Sequence, residues 1–239
     1  MASVALFDPC YMQALRPGDA SDARRVLEAL GDSVTLIDGR CCGQPAFNSG
    51  FRDEARAVGR GLLRAGQPHA AVVVTSGSCT AMVRQYLPGL WPAPRDAAAA
   101  RIAARFVDFP TYVARHPSLP ALPLRLPGVV ALHVSCHARR ELYAAPAVEA
   151  LLARVEGLEV RRPADDEACC GFGGTFSVKM PEVSAAIMTA KLEALAATGA
   201  RVVVSPDYSC LAHLEAGARG LGIQLEAWTL PGLLARALG

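Results

Sequence analysis

Apolar residues in this chain come in short runs, separated by longer amphipathic stretches. Val4 to Phe7, Val34 to Ile37 and Ala71 to Thr75 are such runs, each short enough to predict a buried strand rather than a helix. Between them, Ser21 to Leu30 and Glu54 to Ala65 space their apolar residues three and four apart, which is the helical period. The same order then returns. Val130 to Val134, Leu158 to Arg161 and Arg201 to Ser205 read as strands, with Ala147 to Arg154 and Pro181 to Thr198 as the helices between them. Strand, helix, strand, helix, strand is the pattern of a parallel α/β layer. The fold class expected is α/β: two homologous tandem Rossmann-like parallel-sheet domains related by pseudo-two-fold symmetry.

The repeat is visible residue by residue. Cysteines stand at 10, 41, 42 and 79, and again at 136, 169, 170 and 210, with offsets of 126, 128, 128 and 131. Val4-Ala5-Leu6 precedes Cys10 as Val130-Ala131-Leu132 precedes Cys136. Cys41-Cys42-Gly43 matches Cys169-Cys170-Gly171, and the valine runs before Cys79 and Cys210 correspond. The tails also match, Phe109 to Arg115 with Leu230 to Arg236. Matched landmarks in one order indicate a duplicated domain. Four prolines between His116 and Gly128 disfavour a helix, so 117–128 is expected to be a linker between a first domain, 1–116, and a second, 129–239.

Composition narrows the function classes. Of 239 residues 52% are hydrophobic, which supplies a core and excludes a disordered chain. The formal charge is only +2, from 24 basic and 22 acidic residues, so no basic field points to nucleic acid or an anionic membrane. Every apolar run is interrupted too early to span a bilayer. The opening Met1 to Gln13 lacks the charged start and apolar core of a secretory signal, and a cytoplasmic protein is expected. In that reducing compartment eight cysteines are poorly explained as disulfides. The neighbours Cys41-Cys42 and Cys169-Cys170 could bridge only with strained geometry.

Each predicted strand in a repeat leads into a cysteine loop, so four thiols per half can converge beyond the strands' carboxyl ends. Sets of soft thiolates suit zinc or iron–sulfur clusters. The Cys-x2-Cys knuckles usual in structural zinc sites are absent here, and adjacent side chains diverge, which suits a multi-iron cluster better than one ion. Gly43, Gly171, Gly173 and Gly174 let backbone N–H groups approach sulfur, although Gly-Phe-Gly-Gly also suits a plain turn before a helix.

The order Cys10, Cys41-Cys42-Gly43, Cys79, repeated as Cys136, Cys169-Cys170-Gly171, Cys210, resembles the cysteine-rich CCG domain. That domain occurs twice in the cysteine-rich chain of heterodisulfide reductase, in glycolate oxidase iron–sulfur subunits and in iron–sulfur proteins of lactate utilisation. The resemblance covers essentially the whole chain. It implies an iron–sulfur oxidoreductase subunit, with [4Fe–4S] clusters, one or two per chain, held by the eight cysteines, and with zinc as an option in one half. It also implies cytoplasmic oxidation of L-lactate or a similar 2-hydroxy acid to pyruvate. The partners implied are a ferredoxin-motif iron–sulfur subunit and a further lactate-utilisation subunit. Heterodisulfide reductase ends each motif in Cys-x2-Cys, whereas Ser76 and Asp207 stand at the penultimate positions here. A five-cysteine cluster is therefore not supported. Either residue could offer an oxygen ligand or could simply be loop polarity.

No ferredoxin-type cysteine run, dinucleotide fingerprint or Walker motif is present, which points to electron exchange with partner subunits. His137, beside Cys136, could donate to sulfur or shuttle a proton. His133 reads as a core residue in a strand, and His213 as a helix-surface residue without a role. Arg139 and Arg140 could hold a small carboxylate or be solvated. No catalytic acid–base set is legible. Two other functions fit the cysteines: a zinc-bearing structural or assembly module, and a vicinal-thiol disulfide oxidoreductase.

Overall fold

The computed structural model describes residues 3–38 and 41–239 and divides into two compact units, 1–122 and 123–239. In the first unit the order is β1 (Ser3–Phe7), α1 (Cys10–Leu15), α2 (Asp19–Ala29), β2 (Ser33–Leu36), α3 (Gln44–Asn48), α4 (Arg52–Gly66) and β3 (Val72–Val74). It continues with α5 (Gly77–Ala81), α6 (Arg95–Ala103), β4 (Phe106–Asp108) and α7 (Phe109–Ala114). In the second unit it is β5 (Arg125–Leu132), α8 (Cys136–Arg140), α9 (Ala145–Ala153), β6 (Glu156–Arg161), α10 (Thr175–Lys179) and α11 (Pro181–Ala196). β7 (Val202–Ser205), α12 (Tyr208–Gly220), β8 (Glu226–Thr229) and α13 (Leu230–Ala237) complete it.

Both sheets are parallel and share one strand order, β2-β1-β3-β4 and β6-β5-β7-β8. The fold is α/β in two similar halves. Central strands are apolar on both faces because helices cover both: Val4 to Phe7 and Val72 to Val74 are all buried. Burying a side chain such as Leu6 or Phe7 contributes about 1.5–3 kcal/mol. The edge strands differ. β6 has the sequence EGLEVR, is half open to solvent, and carries a Glu159–Arg161 ion pair at 2.7 Å. Charges of this kind keep an open edge from recruiting further strands. On α4, Ala55, Gly59, Leu62, Leu63 and Gly66 form the buried stripe that the spacing predicts.

Two fourth strands, β4 and β8, exceed the sequence expectation. They are only three and four residues long, too short to register as apolar runs. Each ends in a capping residue: Asp108 accepts the Thr111 N–H, and Thr229 accepts the Gly232 N–H. The matching tails of the repeat are therefore a strand, a cap and a helix with proline at its second position. The proline-rich stretch 117–128, expected as a linker, also contributes to the packed halves. Leu119 and Leu124 are buried, and β5 already begins at Arg125. Pro127 is tolerated there because β7 pairs only from Val130 onward, so no ladder partner needs its missing N–H on that side. No helix among the described residues is long and apolar enough to cross a membrane.

Candidate functional site

In each half the chain leaves the edge strand's neighbour, passes to the edge, and returns across it. That topology opens a crevice at the carboxyl ends of β1 and β3, and of β5 and β7, where parallel α/β sheets place their sites. The cysteine loops occupy this position. Cys10 and Cys136 are the first residues of α1 and α8. Cys79 and Cys210 are the third residues of α5 and α12. Cys41-Cys42 and Cys169-Cys170 lie in the loops before α3 and α10.

The thiols meet in sequence. Cys42 Sγ donates to Cys79 Sγ at 3.4 Å, and Cys41 lies in hydrogen-bonding contact with both Cys10 and Cys42. In the second half Cys169 contacts Cys136 and Cys170, and Cys170 contacts Cys210. All eight are free thiols. Cys42, Cys79, Cys170 and Cys210 are buried, while Cys10 is exposed. The folded sheets thus bring each predicted set of four together.

Hydrogen bonds from Cys10 and Cys42, with a smaller contribution from the Gly43 N–H, hold the Cys41 thiol well below its ordinary value. Cys169 is likewise held well below its ordinary value by Cys136 and Cys170, aided by the Gly171 N–H. Their neighbours Cys10, Cys42, Cys136 and Cys170 are pushed up, chiefly because they donate to those thiolates and secondarily by burial. One thiolate per half is therefore favoured, and further ionisation meets like-charge repulsion in a poorly solvated pocket. A bound cation removes that barrier, because thiolate ligation supplies the missing positive charge. The donor set fits a metal or cluster for this reason.

Glycine in the Cys-Cys-Gly motif has a geometric cause. Gly43 and Gly171 have φ of +87° and +88°, and their N–H groups point back to Cys41 Sγ at 3.4 Å and Cys169 Sγ at 3.3 Å. A Cβ at Gly171 would lie 2.5 Å from the Ser184 carbonyl oxygen. Gly173 and Gly174, also at positive φ, make the turn into α10. In this loop sulfur contact and turn formation fall to different glycines.

A buried carboxylate–hydroxyl bond ties the first and third loops together in each half. Thr75 Oγ1 donates to Asp8 at 3.1 Å, and Ser135 Oγ donates to Asp207. The acid sits on the first loop in one half and on the third loop in the other. Ser76 accepts the Cys79 N–H at 3.4 Å and bonds Ser78 at 3.0 Å. The polarity at 76 and 207 thus has a place in the loops, where it orients the helices that carry the cysteines.

Burial holds the Asp8 carboxyl up to about 6, against a lowering by Thr75. Below its ordinary value of 3.8 the group is neutral folded or unfolded and the folded state keeps its advantage, which is lost as pH rises through about 6. Asp8→Asn is therefore expected to stabilise the metal-free chain by of order 2–3 kcal/mol at neutral pH and to change little near pH ~3.5. Urea unfolding at the two pH values checks this, and equal midpoints at neutral pH would contradict it.

His133 is the site residue that the sequence reading leaves in the core. It is fully buried, and neither ring nitrogen has a hydrogen-bond partner among the described residues. Its ring nitrogens, Cys170 Sγ and Cys210 Sγ bring donor atoms within 4.8 Å of one another. Burial, then the Lys191 ammonium, push the imidazole down to about 3, so it is neutral. His137 Nδ1 lies 3.6 Å from Cys136 Sγ, as its position suggests, and its Nε2 is 3.7 Å from Glu141. His213 is half-buried, bonded to Ser184 and packed on Phe172, so its neighbours are those of the Cys-Cys-Gly loop rather than of a free helix surface. Arg139 pairs with Asp166 at 2.7 Å and with Glu167 at 3.5 Å, and Arg140 reaches the Glu167 carbonyl at 3.5 Å. An open cleft of about 380 Å³ beside the first cysteine loop is lined by Asp8, Gln13, Pro17, Leu36 and Asp38.

A family model described as a cysteine-rich domain, CCG, matches twice, over residues 4–84 and 130–215. A protein named Lactate utilization protein A from Macrococcus caseolyticus is 34% identical over 227 residues, 94% of this chain and 92% of its own. A protein of the same name from an Exiguobacterium species is 36% identical over 220 residues, 90% of this chain and 89% of its own. Among solved structures, a hypothetical protein from Helicobacter pylori superposes with a TM-score of 0.65 at 10% identity. That match covers 99% of this chain, which spans about half (49%) of the other, and it shows a shared fold.

Proposed function

Because the chain belongs to the cysteine-rich CCG domain family, we propose that it serves lactate utilisation as the iron–sulfur subunit of a multi-subunit oxidoreductase. The overall reaction is the oxidation of L-lactate to pyruvate, or of a similar 2-hydroxy acid to its own 2-oxo acid, with release of two electrons and two protons. A thiolate-bound iron–sulfur centre supplies one-electron chemistry when it is present. Cys10, Cys41, Cys42 and Cys79 would hold it in the first half, and Cys136, Cys169, Cys170 and Cys210 in the second. The observation that carries this proposal is the unbroken line of thiol contacts in each half, free of disulfides and partly sealed from water.

The chain's own residues supply the setting. Gly43 and Gly171 place N–H donors on sulfur, which stabilises thiolate charge. The Thr75–Asp8 and Ser135–Asp207 bonds fix the distance between the loops. Cys10 is exposed, which leaves the first-half site open to a partner surface. Arg139 is occupied by Asp166 and Glu167, and, in the first half, the cleft beside the cysteine loop is lined by two acids. Both facts favour a chain that exchanges electrons with a ferredoxin-motif partner, while the lactate carboxylate is gripped on another subunit.

The test is an anaerobic complex of this chain with its partner subunits, mixed with L-lactate and followed by electron paramagnetic resonance. A lactate-dependent change in signals that vanish with cysteine-to-serine replacement in this chain is expected. Lactate oxidation that proceeds unchanged with all eight cysteines replaced would contradict the proposal.

A further inference from the structure

The two halves differ at one buried position beside their thiols. In the repeat Phe7 and His133 correspond, at the same offset as Cys10 and Cys136, and both are fully buried. Each is at the end of the first strand: Thr75 N–H bonds the Phe7 carbonyl, and His133 N–H bonds the Val204 carbonyl. Phenylalanine suits that apolar slot without cost. An imidazole there loses its hydration and, among the described residues, makes no hydrogen bond through either ring nitrogen. A buried polar ring without a partner requires an explanation, and its surroundings offer one. Cys170 Sγ and Cys210 Sγ lie close enough to the ring nitrogens for all three donor atoms to share one ion.

We propose that His133 is a nitrogen donor to the metal centre of the second half, alongside Cys170 and Cys210, and that the two halves therefore hold non-equivalent centres. This rests on the proposal that the cysteines bind metal, and adds a ligand of a different class. A neutral imidazole keeps one ring nitrogen with a free lone pair, as a ligand must. It adds no negative charge to a pocket already crowded with thiolates, which eases the repulsion that limits their ionisation. A neutral nitrogen ligand brings no negative charge to the centre, and histidine ligation raises the potential of an iron–sulfur centre. The second half would then be the better electron acceptor of the two, with Phe7 marking the first as sulfur-only at this position.

The test uses the full chain, labelled with 15N-histidine, reconstituted anaerobically with iron and sulfide, and reduced. Pulsed electron paramagnetic resonance is expected to show a strong, directly bonded nitrogen coupling that disappears in His133→Phe. The variant copies the first half's residue, so its metal-free form should unfold at the same or a higher urea concentration than the parent. Its second-half metal should be lost to a chelator at least roughly tenfold more readily, and its midpoint potential should fall. A loaded centre with no bonded-nitrogen coupling would overturn the proposal, as would a coupling that survives His133→Phe. Should metal analysis find zinc in the second half, zinc X-ray absorption reads the same point: mixed sulfur and nitrogen supports it and sulfur alone overturns it. A chain that takes up neither metal overturns this inference together with the proposed function, so the two failures are told apart.

Discussion

Cys170→Ser is expected to empty the second half of its metal while the first half keeps its own, leaving about half of the bound metal. Cys170 is 3% exposed and touches both Cys169 and Cys210, so it is the middle link in the line of thiols. A serine hydroxyl does not ionise under physiological conditions and is a hard donor where the set is soft. The loss of affinity should exceed the roughly 10–100-fold that follows from disturbing an outer-shell partner. Fold stability should suffer far less. The substitution is nearly isosteric, and burying a hydroxyl without a partner costs about 1–3 kcal/mol. Cys42→Ser should give the mirror-image result. Metal content per chain, measured with urea unfolding of the metal-free forms, separates the two effects. Full metal retention in Cys170→Ser would contradict the assignment.

Gly171→Ala is expected to be among the most damaging small substitutions, at roughly 2–5 kcal/mol. Two penalties add. A residue with a Cβ pays about 1–2 kcal/mol for left-handed backbone. The new methyl would also sit 2.5 Å from the Ser184 carbonyl oxygen, a backbone atom of α11 that cannot rotate away. Overpacking of this kind costs about 1–3 kcal/mol more. Displacing the loop to relieve it would pull the Gly171 N–H off Cys169 Sγ, so metal affinity should fall with stability. Gly43→Ala should behave alike, because its Cβ would meet the Ala55 carbonyl oxygen at 2.7 Å. By contrast Gly174, with open space around its missing Cβ, should tolerate alanine better despite its positive φ. Equal stability of Gly171→Ala and the parent would show that the loop is looser than described.

Much of this architecture is legible before any coordinates. The strands β1, β3, β5 and β7 coincide with short apolar runs, because central parallel strands are buried on both faces. The edge strands β2 and β6 fall where the repeat places them, although both stand half open to solvent. The duplicated cysteines point to two equivalent sites, since three loops at one sheet edge bring together residues far apart in the chain. What escapes is governed by tertiary context. β4 and β8 are too short to have a pattern of their own and exist because β3 and β7 offer an edge to pair with. Residues 125–128 resemble a linker because Pro127 and Gly128 break local regularity, yet they pair with β6 at a shifted register. His133 reads as a core residue when its strand is viewed alone. Only the repeat alignment sets it against Phe7, and only the fold shows that its ring nitrogens find thiols in place of hydrogen-bond partners. Arg139 similarly loses its candidacy for a carboxylate substrate through Asp166, which is 27 residues away in sequence.

On the proposed function, each half gathers its four cysteines around one metal centre. Iron, zinc and acid-labile sulfide determined per chain on anaerobically prepared protein, alongside Cys42→Ser and Cys170→Ser, test it most directly. Iron with matching sulfide is expected in the parent, and loss of one half's share in each variant. Protein that binds no metal, or whose metal content neither substitution alters, would contradict it.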